Sequence, residues 1–399
     1  MQLTKLTLAV ATLLAAPAFA YNSDAQSLGM AGIKATTSTS LASGANPAIL
    51  SADSSGFIRA QIPVSIGTRD QDDVFGALKD AGDLVDDFKA SSSREDIANN
   101  TVKLNKFLDD IYQAKPITVD AGSGFSVEAP NRTVGLGGFI RASTHIVTLA
   151  HADKYSGSHD YTGIGDASDA DAGQIVSDTY DRLDTAYANI AGVAKLEIGG
   201  AISHRRKVGN KHVSVGFSPK IQSFQVINRT FSIDEYELSN LTKDAGKKTA
   251  VNLDIGTIYD YGKGLQVGFL VTDVVPVSVK SKAINGVHYE YEVKPQATIG
   301  ATFQGLPFVN LSADYQLNES SGFKNIADNT QYLSVAAEAN VPMIGSARLG
   351  YQHDLNGNAN TMYTAGVRLG FVPFLDMNLG GAYSEKGEVR VGADLTFKL

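Results

Sequence analysis

From Phe57 to the carboxy terminus the chain alternates apolar and polar residues with a period of two, and charges within these runs fall almost wholly on the polar parity. The last run sets Val389, Val391, Ala393, Leu395, Phe397 and Leu399 against Arg390, Gly392, Asp394, Thr396 and Lys398. Another sets Val309, Leu311, Ala313, Tyr315 and Leu317 against Asn310, Ser312, Asp314 and Gln316. A third, Tyr289, Tyr291, Val293, Ala297, Ile299, Ala301 and Phe303, is expected to form one strand from near Glu290. Successive strand side chains point to opposite faces, so each run predicts a strand with one apolar and one polar face. A soluble sandwich alternates too, with its apolar side inward. Length separates the two cases. These runs reach about nine to twelve residues, against about 5–6 for soluble strands and about 9–11 for tilted membrane strands.

The connections point the same way. About fourteen strands are expected, starting near Phe57, Ile117, Thr133, Ala188, Val213, Ala250, Leu265, Glu290, Phe308, Gln331, Ser346, Met362, Phe374 and Glu388. Long stretches (Asp70–Lys115, Ala150–Tyr187, Ser232–Lys248, Val274–His288, Asn318–Asn329, Asp354–Asn360) alternate with short ones. The short ones are Pro130-Asn131-Arg132, Val208-Gly209-Asn210, Gly262-Lys263-Gly264, Gly305-Leu306-Pro307, Pro342–Gly345 and Val372-Pro373. Outer-membrane barrels have this sorting, with short periplasmic turns, longer outer loops and an even strand number. With no tryptophan, Tyr259, Tyr261, Tyr289, Tyr291, Phe371 and Phe374 at run ends are expected to supply the interfacial girdles. The fold class expected is therefore all-β: a transmembrane antiparallel barrel spanning residues 55–399.

Residues 1–20 read as a cleaved signal peptide: Lys5 precedes an apolar run from Leu6 to Leu14, and Ala18-Phe19-Ala20 fits the cleavage pattern. No later stretch holds about 18 consecutive apolar residues, so no membrane helix is expected. Export then leads to a Gram-negative outer membrane. The expected partners are outer-membrane lipid, lipopolysaccharide, the barrel-assembly machinery and small hydrophobic molecules. A net charge of −8 argues against nucleic acid, and the absence of cysteine removes thiolate and redox chemistry. No cofactor is expected.

Residues 21–54 are rich in Gly, Ala, Ser and Thr, with Ser27-Leu28-Gly29-Met30-Ala31-Gly32 and then Gly44-Ala45-Asn46-Pro47-Ala48. By composition alone they read as a loop. A glycine-rich opening followed by Asn-Pro-Ala just before the first strand resembles the hatch of the FadL-type long-chain fatty-acid transporters. That resemblance implies a fourteen-stranded barrel with an N-terminal plug, in which Gly29, Gly32, Asn46, Pro47 and Ala48 are the plug residues. Within that superfamily the chain is most similar to the conjugal transfer TraF-like barrels, which share these segments and a helical insertion after the first strand. The thioredoxin-like pilus-assembly protein of the same label is a different molecule, since this chain has no cysteine. Barrel-assembly signals usually end in an aromatic residue, whereas here Leu399 is terminal and Phe397 precedes it by two.

Helical spacing interrupts the alternation near 70–115 and 162–190. Phe75, Leu78, Leu84, Val85 and Phe88 form one stripe, Val102, Leu104, Phe107, Leu108 and Ile111 a second, and Ile175, Val176, Tyr180, Leu183 and Tyr187 a third. These stripes either bury one another as a cap or form a groove for apolar ligands, lined by Phe75, Leu78, Leu84, Phe88, Phe107, Leu108, Ile111, Tyr180 and Leu183. Arg59, Glu338, Arg368 and Asp394 are expected to face the lumen and help hold the plug. The loop with His159, Asp160, Asp166 and Asp169 lacks the EF-hand pattern and reads as solvated surface. The seven histidines are scattered and no G-x-S-x-G or H-E-x-x-H motif occurs, so no enzyme is expected. Two functions fit: passive uptake of small hydrophobic molecules, or a non-transport envelope component or surface receptor associated with conjugal transfer.

Overall fold

The computed structural model describes residues 24–37, 39–53, 55–112, 114–232, 245–284, 286–324, 326, 328–341 and 345–399. The expected signal peptide lies outside the described residues, as does the middle of the loop expected at Ser232–Lys248. In chain order the strands are β1 (Arg59–Arg69), β2 (Ile117–Ala129), β3 (Val134–His151), β4 (Tyr187–Val208), β5 (Lys211–Ser232) and β6 (Gly246–Gly262). Then come β7 (Leu265–Thr272), β8 (Val277–Lys280), β9 (Glu290–Val293), β10 (Gln296–Leu306), β11 (Val309–Gln316) and β12 (Gly322–Phe323). The last five are β13 (Tyr332–Val341), β14 (Gly345–Asp354), β15 (Met362–Val372), β16 (Leu375–Ser384) and β17 (Glu388–Lys398). All but β8, β9 and β12 close into one antiparallel barrel of fourteen strands. The first strand pairs with both β2 and β17, so no edge is left open to lipid.

The period of two sorts the wall into two faces. Leu311 is 43% exposed while its neighbour Ser312 is 6% exposed; Leu395 and Thr396 repeat this at 39% and 6%. Ile62, Val64 and Ile66 on β1, Ile198 and Ile202 on β4, and Leu349 on β14 lie exposed on the outside. An apolar surface running round a whole barrel has hydrocarbon as its natural solvent. Exposed Phe57, Tyr261, Phe308 and Phe374 mark the end with the short turns, and exposed Tyr315, Tyr351, Tyr363 and Tyr383 the end with the loops. The turns are tight because the chain can reverse there: Gly262, Lys263 and Gly264 have φ of 81°, 56° and 82°, left-handed values that favour glycine.

The long run from Tyr289 to Phe303 does not form one strand. Pro295 has no N–H to give a ladder, and the run breaks there into β9 and β10. In place of a girdle, Tyr289 and Tyr291 pack on Phe323, with ring centroids 6.3 and 5.2 Å apart. Strands β12, β9 and β8 form a separate small sheet in that order. Its Val277, Val279, Val293 and Phe323 join a core with Val147, Val193, Phe224 and Val226. Those wall residues sit near the loop ends of β3–β5, which are 18, 22 and 22 residues long and outrun the expected span. The small sheet is thus a roof over one side of the barrel mouth. The side chain of Phe371, also expected in a girdle, lies outside the described residues.

Among the described residues, five α-helices complete the fold: α1 (Ala25–Gly29), α2 (Ile49–Ala52), α3 (Val74–Ala90), α4 (Arg94–Tyr112) and α5 (Asp169–Asp184). The last three form a cap. Val85, Phe88, Leu104, Phe107, Leu108, Ile111 and Leu183 bury one another in a core that reaches Ile117 at the start of β2. Tyr187, placed in the third helical stripe by spacing, instead opens β4, because it pairs with His151 across the ladder.

Candidate functional site

The described residues of 24–53 lie inside the barrel, where the polar faces of the strands receive them. Asp394 on β17 accepts the N–H groups of Ala25 and Gln26 at 2.6 and 3.3 Å. Asp314 on β11 accepts those of Lys34 and Ala35 at 2.8 and 3.0 Å. Glu128 on β2 accepts that of Leu41 at 2.8 Å. The Ala31 carbonyl takes the Ser334 hydroxyl of β13 at 2.7 Å and the Gln352 amide of β14 at 2.9 Å. Hydroxyls meet at Thr36 and Thr302 (2.7 Å) and at Ser40 and Ser126 (2.9 Å). Buried backbone must be paired, and a short irregular segment has few partners of its own, so wall carboxylates and amides replace a ladder.

Small residues on both sides allow this contact. A Cβ at Gly256 of β6 would stand 1.7 Å from Asn46 Oδ1, and one at Gly216 of β5 would stand 2.4 Å from the nitrogen of Ala48 and the carbonyl carbon of Pro47. Asn46 is fully buried; its amide donates to the carbonyls of Ala35, Thr257 and Phe269 at 2.8, 3.2 and 3.3 Å, and its Oδ1 accepts the Ala48 N–H. Gly29 lies against Gly366, and its carbonyl accepts the Thr364 hydroxyl at 3.1 Å. Gly32 turns the chain at φ +78° beside Gln352.

The expected lumen charges have different roles. Arg59 ties the end of the segment to the wall, pairing with Asp53 at 2.9 Å and Glu128 at 3.0 Å. Asp394 holds α1. Glu338 pairs with Arg348 at 2.8 Å. Arg368 lines a cavity, and its side chain has no ion pair or hydrogen bond among the described residues.

The segment stands between two cavities. One, of about 460 Å3, opens at the turn side, where Arg59, Gln304, Asn310, Glu338 and Lys398 close the strand ends. The other, of about 120 Å3, lies toward the loops and is lined by Leu28, Gly32 and Lys34 of the segment, by Lys195 and Asp273 of the wall side, and by Tyr291 of the roof.

Two charged clusters were not foreseen from the sequence. Glu197 is fully buried and receives Arg141 at 2.5 Å, Lys195 at 3.2 Å and Lys220 at 3.3 Å. Lys220 also reaches Asp254 and Asp273 at 2.7 Å each, and Arg141 donates to the Leu41 carbonyl at 3.4 Å. Their inward parity was visible, but four strands and a loop had to come together to pair them. His145 lies between Asp120 (2.8 Å) and Asp328 (3.1 Å), tying the loop after β11 to the wall.

Of the two arrangements expected of the helical stripes, the described residues adopt mutual burial. Phe88, Phe107, Leu108, Ile111 and Leu183 are buried in the common core and Leu84 packs against it, because three amphipathic helices satisfy one another's stripes. Tyr180 stays exposed, its ring 4.7 Å from that of Phe88. The side chains of Phe75 and Leu78 lie outside the described residues. In the His/Asp-rich loop, Asp160 and Ser168 cap the short 3-10 turn at Tyr161–Asp166 and α5.

The barrel matches solved structures over nearly its whole length. A TodX monoaromatic hydrocarbon channel lacking S2 and S3 superposes with a TM-score of 0.57 at 11% identity, covering 94% of this chain and 98% of that one. The Ralstonia pickettii toluene transporter TbuX gives 0.57 at 12%, covering 94% and 97%. A Pseudomonas aeruginosa FadL homologue gives 0.50 at 11%, covering 96% and 98%. At such identities the likeness is one of fold, that of FadL-type outer-membrane barrels. No curated protein sequence matches. A sequence-family profile described as F plasmid transfer operon, TraF, protein covers residues 44–315, from the Asn46-Pro47-Ala48 contact through β11. On that match the chain belongs to the family of the F plasmid transfer operon TraF protein.

Proposed function

We propose that this barrel is a passive uptake channel for small hydrophobic molecules, with residues 24–53 as its plug. The observation that carries the reading is the division of the lumen: one cavity faces the loops, the other faces the turns, and the docked segment lies between them. Passage then requires the segment, or part of it, to shift. The fold shared with a hydrocarbon channel and a toluene transporter supports a hydrophobic passenger, and the small loop-side cavity favours a small one. On this reading the protein is exported through a cleaved signal peptide, inserted by the barrel-assembly machinery and surrounded by outer-membrane lipid and lipopolysaccharide. It performs no chemistry on its passenger.

The test is uptake of toluene into vesicles carrying the purified full chain. The reading expects faster entry than into protein-free vesicles, after subtraction of direct bilayer permeation; equal rates refute it. The family match favours a second reading, an envelope component of plasmid transfer whose loops engage a partner. Loss of mating without loss of uptake on deleting α3–α5 would favour that alternative.

A further inference from the structure

Seven ionic side chains line the turn-side cavity, and six of them pair off. Arg59 meets Asp53 at 2.9 Å, Arg348 meets Glu338 at 2.8 Å, and Lys398 meets Asp376 at 2.7 Å. Glu128, which does not line the cavity, is a second partner of Arg59 at 3.0 Å. The seventh, Arg368, has neither an ion pair nor a hydrogen bond among the described residues. Its cross-strand neighbours, Ser346 on β14 and Asn378 on β16, are neutral. A further donor is unused nearby: Nη2 of Arg59 is buried without a partner. A guanidinium keeps its charge at any physiological pH and presents a planar fork that fits a carboxylate with two parallel bonds. Here that fork borders about 460 Å3 of space, at the end of the barrel with the short turns.

We propose that the turn-side cavity is a binding site for a small water-soluble organic anion, a carboxylate of about the size of benzoate, held by Arg368. This goes beyond hydrophobic passage, because it gives the periplasmic end a ligand of opposite character to the passenger. The low-dielectric wall focuses the field of this unpaired guanidinium into the cavity. The neutral amides that share the lining, Gln304 and Asn310 among them, supply secondary polar contacts.

The experiment titrates the purified full chain, in lipid nanodiscs, with benzoate and with benzamide, its neutral counterpart of the same shape. Benzoate is expected to bind saturably and benzamide much more weakly. Arg368→Gln is expected to weaken benzoate by about tenfold or more, as loss of a charged hydrogen bond does, and to leave benzamide unchanged. Arg368→Lys, which keeps the charge, should recover part of the affinity. Equal binding of the two probes by the natural chain overturns the proposal, as does benzoate binding indifferent to Arg368→Gln. Toluene uptake in the same preparation separates the two readings. Uptake with no preference for benzoate defeats the anion site alone, whereas no uptake with intact benzoate binding defeats the channel alone.

Discussion

Asp394 on the last strand accepts the N–H of Ala25, the first residue of α1, at 2.6 Å across 369 positions of chain. Asp24, next to Ala25, turns back instead to the N–H groups of Ser27 and Ser40. Two buried carboxylates therefore fix the start of the segment inside the barrel, one from the wall and one from the segment itself.

Replacing Asp394 by Ala should release α1 while leaving the strands paired. The lost hydrogen bonds cost about 0.5–1.5 kcal/mol each. Limited proteolysis checks this: cleavage within residues 24–53 should rise sharply while the barrel still migrates as a heat-modifiable species. Unchanged protection would show that Asp394 does not hold the segment.

Gly256→Ala should displace the Asn46-Pro47 contact, since the new Cβ would stand 1.7 Å from Asn46 Oδ1. Overpacking of this kind costs about 1–3 kcal/mol. Gly173→Ala on α5, where a Cβ meets nothing within 4 Å, is the control. Protease protection of the plug should fall in the first variant only.

The two faces of β17 should differ in tolerance. Leu395→Arg places a charge in lipid and should destabilise the barrel by about 2–4 kcal/mol if it lies near the midplane; Thr396→Arg, facing the turn-side cavity, should cost much less. Unfolding in urea from lipid vesicles measures both, and equal losses would mean the faces are wrongly assigned.

His145 is a bolt between wall and loop. His145→Ala removes the bond to Asp328 but leaves the Asp328 carboxylate on the Phe323 N–H, so the loop between β11 and β13 should exchange its amide hydrogens faster. No change in exchange would make the contact incidental.

The strands were legible because lipid imposes a rule on every residue of a run: Leu311 or Leu395 outside, Ser312 or Thr396 inside. Fourteen strands followed from that rule and from the sorting of loops. Where the chain leaves the membrane the rule lapses, and there the reading failed. Tyr289 and Tyr291 kept the alternation yet went to the roof, because a small sheet obeys the same period; Pro295 was the one local sign of the break. The helical stripes were visible, but whether Phe88 and Leu108 met a ligand or each other depended on how three helices cross. Asp394 was placed in the lumen by parity, whereas its partner Ala25 offers only a backbone N–H, which no side-chain pattern reveals. The cluster of Arg141, Glu197 and Lys220 was hidden for a related reason: pairing depends on register between strands.

The chain has no cysteine, so a single engineered disulfide can test the plug without interference. The hydroxyls of Ser40 on the segment and Ser126 on β2 lie 2.9 Å apart, near enough for sulfurs in their place to bond. The deciding measurement is toluene uptake by vesicles carrying Ser40→Cys/Ser126→Cys, oxidised and then reduced, with bond formation followed by thiol labelling. The account predicts that the oxidised protein loses uptake and that reductant restores it. Equal uptake in both states, with the disulfide shown to be formed, would contradict it.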